Sequence, residues 1–129
     1  MDERINIIYS KLKNIIEESL FKIEDKSMGD DYHKEINLNV IINDNINVNF
    51  SQADIKTIGL TKLFTTIVVN NEEFEVDLSD GENNRIRRIV FDNKLNTDLL
   101  NFIVRVQKEL GYVPMDYKAS KYHTITSEL

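Results

Sequence analysis

Ile36-Asn37-Leu38-Asn39-Val40-Ile41-Ile42-Asn43-Asp44-Asn45-Ile46-Asn47-Val48-Asn49-Phe50 decides the fold class of this chain. Every even position except Asp44 is apolar, and every odd position except Ile41 is Asn. Side chains alternate across a strand, so the pattern gives one dry face and one wet face. It predicts a hairpin with strands 35–42 and 46–50 around the loop Asn43-Asp44-Asn45. Ile42 then stands opposite Ile46, Val40 opposite Val48 and Leu38 opposite Phe50, all on the dry face. A three-residue loop keeps this parity and asks for a left-handed residue at Asn45. A single strand over 35–50 keeps it too, but aims Asp44 into the core and exceeds the usual strand length.

Working outward, residues 2–24 read as an amphipathic helix. Ile5, Ile8, Tyr9, Leu12, Ile15, Ile16, Ser19, Leu20 and Ile23 form its stripe. Residues 25–34 are a polar connection. After the hairpin, Ser51-Gln52-Ala53-Asp54 has the spacing of a helix start, which predicts a short helix over 52–58 closed by Gly59. Residues 62–69 are apolar on both faces, as in a central strand. Asn70-Asn71 supplies a tight turn. Residues 73–79 alternate, with Phe74, Val76 and Leu78 inward and Glu73, Glu75 and Asp77 outward.

A turn cluster at 79–84 leads to a third strand, 85–91. Antiparallel pairing with 73–79 sets Asp77 opposite Arg87 and Phe74 opposite Val90. Asn96 or Thr97 caps a last helix over 97–110, with Leu99, Ile103, Val106 and Leu110 as its stripe. Gly111 ends it, and Pro114 prevents its resumption. The expected architecture is α+β. An N-terminal helix and a C-terminal helix accompany an antiparallel sheet of about five strands, made of a hairpin, a short connecting helix and a three-strand meander. The C-terminal helix packs on one sheet face. Residues 1–111 form a single domain and 112–129 a tail.

The chain has 129 residues, which suits one domain able to bury a core without disulfides or metal. It has no Cys, so disulfide frameworks, thiolate zinc sites and Cys nucleophiles are excluded together. No apolar run resembles a signal-peptide core or a membrane span, so a cytoplasmic protein is expected. The formal net charge of −6 argues against nucleic-acid binding, which needs a basic surface. Ile, Asn and Lys are abundant while Gly, Pro, Ala and Arg are scarce, the skew that AT-rich codons produce.

The missing chemistry is more informative than what is present. There are two His residues, no Cys and no Gly-x-Ser-x-Gly turn, so a hydrolytic triad is not expected. The four Gly residues lie far apart, so no phosphate-binding loop forms. No cofactor is called for. The best metal candidates, weak ones, are Asp31, His33 and Glu35, a carboxylate–imidazole set that would suit Zn²⁺ or Mn²⁺; a solvated loop entering a strand is the favoured reading of these residues. The Asn row offers amides to a sugar, a peptide backbone or an added strand, or is simply a solvated face. Arg85, Arg87 and Arg88 suit a phosphate or carboxylate, or internal ion pairs.

These features point to a small acidic protein that acts by binding another protein. An inhibitor, an immunity protein or a chaperone for a basic partner fits. The acidic face Glu73, Glu75 and Asp77 would meet that partner, with Tyr117 and Tyr122 in the tail as further contacts. The alternatives are a dimerisation module of a larger assembly and a metal-dependent enzyme using His33.

Overall fold

The computed structural model describes residues 3–80 and 83–112. In chain order its elements are α1 (Glu3–Glu18), β1 (Lys22–Asp25), β2 (Met28–Gly29), β3 (His33–Asn43), β4 (Ile46–Ile55), β5 (Gly59–Leu60), β6 (Phe64–Val69), β7 (Glu72–Val76), a 3₁₀ turn (Leu78–Asp80), α2 (Asn84–Asp92) and α3 (Asp98–Glu109). The class is α+β, with a wholly antiparallel sheet. Contacts group the chain into two units, Met1–Val76 and Asp77–Leu129.

The first unit holds α1 and the sheet. The strand order is β1-β3-β4-β6-β7, with the two-residue strands β2 on β3 and β5 on β4. Leu38 stands opposite Phe50 and Val40 opposite Val48, as the alternation requires. The turn is tighter than expected. Asn43, not Ile42, pairs with Ile46, and a β-bulge between Ile41 and Asn43 takes up Ile42. Only Asp44 and Asn45 then connect the strands, and the bulge restores the parity that a two-residue turn would break. The Asn43 side-chain oxygen accepts the Asn45 N–H at 2.8 Å, and Asn45 is not left-handed.

Three further expectations are corrected in this unit. The helix expected over 2–24 ends at Glu18, because Leu20 turns into the left-handed region at φ 63° and points into solvent. Residues 22–25 then pair along β3, with Ile23 opposite Val40. The connection expected over 25–34 therefore contains β2 and the ends of β1 and β3. The short helix over 52–58 is absent. β4 runs on to Ile55, and its alternation continues with Gln52 and Asp54 on the dry face, 4 % and 3 % exposed. The expected turn at Asn70-Asn71 is present, with φ of 50° and 70°, the type I′ geometry matched to strand twist.

The apolar residues of the buried face of β3, β4 and β6 are Ile36, Leu38, Val40, Ile46, Val48, Phe50, Ile67 and Val69. Ile5, Leu12, Ile15 and Ile16 are the buried residues of α1, which contacts β1, β3 and β4.

In the second unit, the strand expected over 85–91 is helix α2. Arg-Ile-Arg alternation suggested a strand, yet Ile86 and Ile89 are three apart and both are buried. Pairing of Asp77 with Arg87 and of Phe74 with Val90 across strands therefore does not occur, and the meander is a two-strand hairpin. α3 matches the helix expected over 97–110, with Leu99, Phe102, Ile103 and Val106 buried. The N-cap of α3 is Thr97, which makes no side-chain cap bond, and the Asn96 side chain before it accepts the Asp98 N–H at 3.0 Å.

α3 ends in a Schellman motif. The Tyr112 N–H reaches the Gln107 carbonyl, the Gly111 N–H reaches that of Lys108, and Gly111 sits at φ 83°. α2 ends in the same motif with Lys94 at φ 55° in the glycine position. Asn83 and Gln107, both buried, exchange reciprocal amide hydrogen bonds of 3.2 and 3.0 Å. Gln107 also donates to the Leu78 carbonyl at 3.1 Å. This pair fastens the start of α2 to α3 and to the 3₁₀ turn. Pro114 lies outside the described residues.

Candidate functional site

Among the described residues, β7 hydrogen-bonds to β6 alone, which makes it an edge of the described sheet. Glu73 lies opposite Val68 and Glu75 opposite Thr66, on the wet face of the β6–β7 ladder. Glu72, Glu73 and Glu75 are all exposed. Phe74 and Val76, opposite Ile67 and Thr65, take the other face. An edge strand with a charged outer face resists casual strand pairing while presenting a dense negative surface.

Asp77 belongs to the second unit and does local work. Its side chain accepts the Ser79 N–H at 3.0 Å and the Ser79 hydroxyl at 2.7 Å, which starts the 3₁₀ turn. Burial, then the Asp77 charge, raises the Tyr112 hydroxyl above the ordinary tyrosine pKa. Tyr117 and Tyr122 lie outside the described residues. Arg85, Arg87 and Arg88 are exposed on α2.

Of the metal candidates, His33 and Glu35 do share a face at the start of β3, with His33 Nε2 at 3.3 Å from Glu35 Oε1. Asp31 is exposed in the turn before them. Among the described residues, no three His, Cys, Asp or Glu side chains gather closely enough to hold a metal ion.

The Asn row is not at a sheet edge, since β3 lies between β1 and β4 and β4 lies between β3 and β6. Strand addition there is ruled out. Its amides bond to one another instead. Asn47 donates to Asn39 at 2.7 Å, Asn49 to Asn37 at 3.1 Å, and Asn39 to Glu24 at 2.9 Å. Each Asn–Asn bond runs diagonally between β3 and β4, so the wet face carries its own amide ladder.

A cleft of about 470 Å³ opens between α1 and the start of β3. Ile5 and Ile36 are among its lining, and the Lys34 ammonium donates to the Asn6 side chain at 2.8 Å. A Cβ at Gly29 would stand 2.9 Å from Lys34 Cγ, so Gly29 leaves the room that the Lys34 stem occupies. Beside the cleft, Asp25 accepts from the Tyr9 hydroxyl, from the Ser27 N–H at 2.9 Å and from Lys13 Nζ at 3.4 Å. Partial burial pushes the Asp25 carboxyl upward. The hydrogen bonds from Tyr9, Ser27 and Lys13 outweigh it and hold the pKa at about 2.

Sequence reasoning missed the buried polar residues. Gln52 donates to the Thr61 carbonyl at 2.7 Å, and Asp54 is also engaged. Gln52 Oε1 and the Thr65 hydroxyl have no hydrogen-bond partner among the described residues. The available signal was the unbroken alternation Phe50, Gln52, Asp54, which polarity masked. Among the described residues, no helix is long and apolar enough to cross a membrane. Compared with known proteins, the chain significantly matches no family model, no curated protein and no solved structure.

Proposed function

We propose that this chain is a non-enzymatic binding protein of the cytoplasm that covers a basic partner, as an inhibitor, immunity protein or chaperone does. The observation that carries the reading is the exposed acidic edge strand, with Glu72, Glu73 and Glu75 on β7. Glu73 and Glu75 on one face of this strand, with exposed Glu72 at its start, give a negative surface on a regular scaffold. The net charge of −6 adds long-range attraction toward a basic protein. Electrostatic complementarity of this kind speeds association and fixes partner choice.

The test is affinity capture from native lysate with the wild-type chain and with the variant Glu73→Lys/Glu75→Lys, at low and at high salt. A partner of basic composition, retained by the wild type, lost from the variant and weakened by salt, is the expected result. Recovery that ignores both salt and the charge reversal overturns the reading.

A further inference from the structure

The outer edge of β1 differs in kind from that of β7. Among the described residues, β1 pairs with β3 alone. The Lys26 N–H, just past the strand, reaches the Asn37 carbonyl at 2.8 Å, so Lys26, Glu24 and Lys22 turn their backbone groups toward β3. By the same alternation Ile23 turns its N–H and C=O outward, to the open edge. Lys22 and Glu24 lie opposite Ile41 and Asn39, on the wet face, and both are exposed. Ile23 lies opposite Val40, on the dry face, and is half-buried. Leu20, just before β1, holds φ 63° and is 90 % exposed. A strained apolar side chain left in water beside an open edge marks an interaction surface.

We propose that β1 pairs antiparallel with β1 of a second copy of this chain, about a two-fold axis at Ile23. Facing residues of an antiparallel pair share one side of the sheet, so wet must meet wet and dry must meet dry. With Ile23 opposite Ile23, each outward N–H donates to the other copy's outward carbonyl. Lys22 of each copy then faces Glu24 of the other, which places an opposite-charge pair on either side of the axis. The neighbouring registers set Lys22 on Lys22 or Glu24 on Glu24, so charge selects one alignment. Glu24 accepts from Asn39 through one carboxylate oxygen, which orients the group and leaves its other oxygen for the ammonium. β7 offers no such alignment. Every two-fold register of Glu72-Glu73-Phe74-Glu75-Val76 that overlaps at least three residues and keeps the faces matched sets Glu on Glu. One edge of the sheet thus opposes self-pairing while the other is self-complementary. The proposal is independent of the partner proposed for β7.

Sedimentation velocity of the full chain over a range of concentrations tests it, with Lys22→Glu, with Glu24→Lys and with an equimolar mixture of the two variants. The wild type should pass reversibly from monomer to dimer. Each variant alone sets like charges opposite each other on both sides of the axis, and should raise the dimer dissociation constant about tenfold or more. In the mixture every facing pair is again opposite in charge, so a mixed dimer should form as readily as the wild-type one. Exchange of the Ile23 amide hydrogen should also slow as concentration rises, while exchange along β7 stays constant. Circular dichroism melts matching the wild type establish that the variants are folded, and Lys22→Gln and Glu24→Gln, with a smaller expected loss, serve if a reversal melts early. A wild type that stays monomeric up to about 1 mM, single variants that dimerise as it does, or a mixture no better than its components would each overturn the proposal.

Discussion

Asp25 collects a hydroxyl, a backbone N–H and an ammonium group, and its pKa falls to about 2. A carboxyl whose folded pKa lies below its unfolded value, about 4, adds stability above that value and loses it as pH falls through the folded one. The window is therefore pH 4 down to about 2. The side chain is 26 % exposed, so solvent screening keeps the contribution below about 1 kcal/mol. Urea midpoints of Asp25→Asn are expected to lie below wild type at pH 6 and to fall less between pH 5 and pH 2; equal slopes would refute the assignment. Thr65 presents the opposite case. Its hydroxyl is fully buried without a partner among the described residues. Thr65→Val keeps the shape and removes the desolvated group, so it should raise stability by about 1 kcal/mol in the same assay. A loss of stability would mean that the hydroxyl holds a bound water.

At the scale of elements, α2 and α3 end in the same hydrogen-bond pattern with different residues at the left-handed position, Lys94 and Gly111. A side chain in that region costs about 1–2 kcal/mol that Gly avoids. Lys94→Gly should therefore stabilise the protein by about 1 kcal/mol, whereas Gly111→Lys should cost at least that, both read by thermal melts. The comparison also shows what was legible in the chain. Gly111 announced its helix end, and Lys94 could not. Alternation over 36–50 located β3 and β4 because composition and period agreed there. At Gln52 and Asp54 the period continued while polarity suggested a helix cap, so the last third of β4 was misread. Over 85–91 Ile86 and Ile89 fit a helical step, but the interleaved Arg residues imitated a strand. Ile23 extended the helical stripe of α1 although the backbone had already turned at Leu20. Of the proposed site, the exposure of Glu73 and Glu75 was readable from parity. The local role of Asp77 and the cations brought together by α2 and α3 depended on recognising α2 as a helix.

For the molecule as a whole, the sheet grades from a doubly paired centre to singly paired edges. Among the described residues, β4 is flanked by β3 and β6, whereas β1 and β7 each have one neighbour. Native-state hydrogen exchange should therefore be slowest in β4 and fastest among the strands in β1 and β7. Uniform protection across the sheet would contradict this gradient. Charge is also unevenly placed. Carboxylates crowd the β7 edge of the first unit, and Arg87, Arg105 and Lys108 line a groove between α2 and α3 in the second. Finally, the bulge at Ile42 bears on how this hairpin tolerates evolutionary change. Deleting that one residue would leave Ile41 on Asn47 and Asn43 on Ile46 as consecutive pairs of a regular ladder. Every other side chain would keep its side of the sheet. The hairpin thus contains a position where chain length can change by one without a frameshift in its pattern of inside and outside, and homologous chains differing in length by one residue should place the gap there.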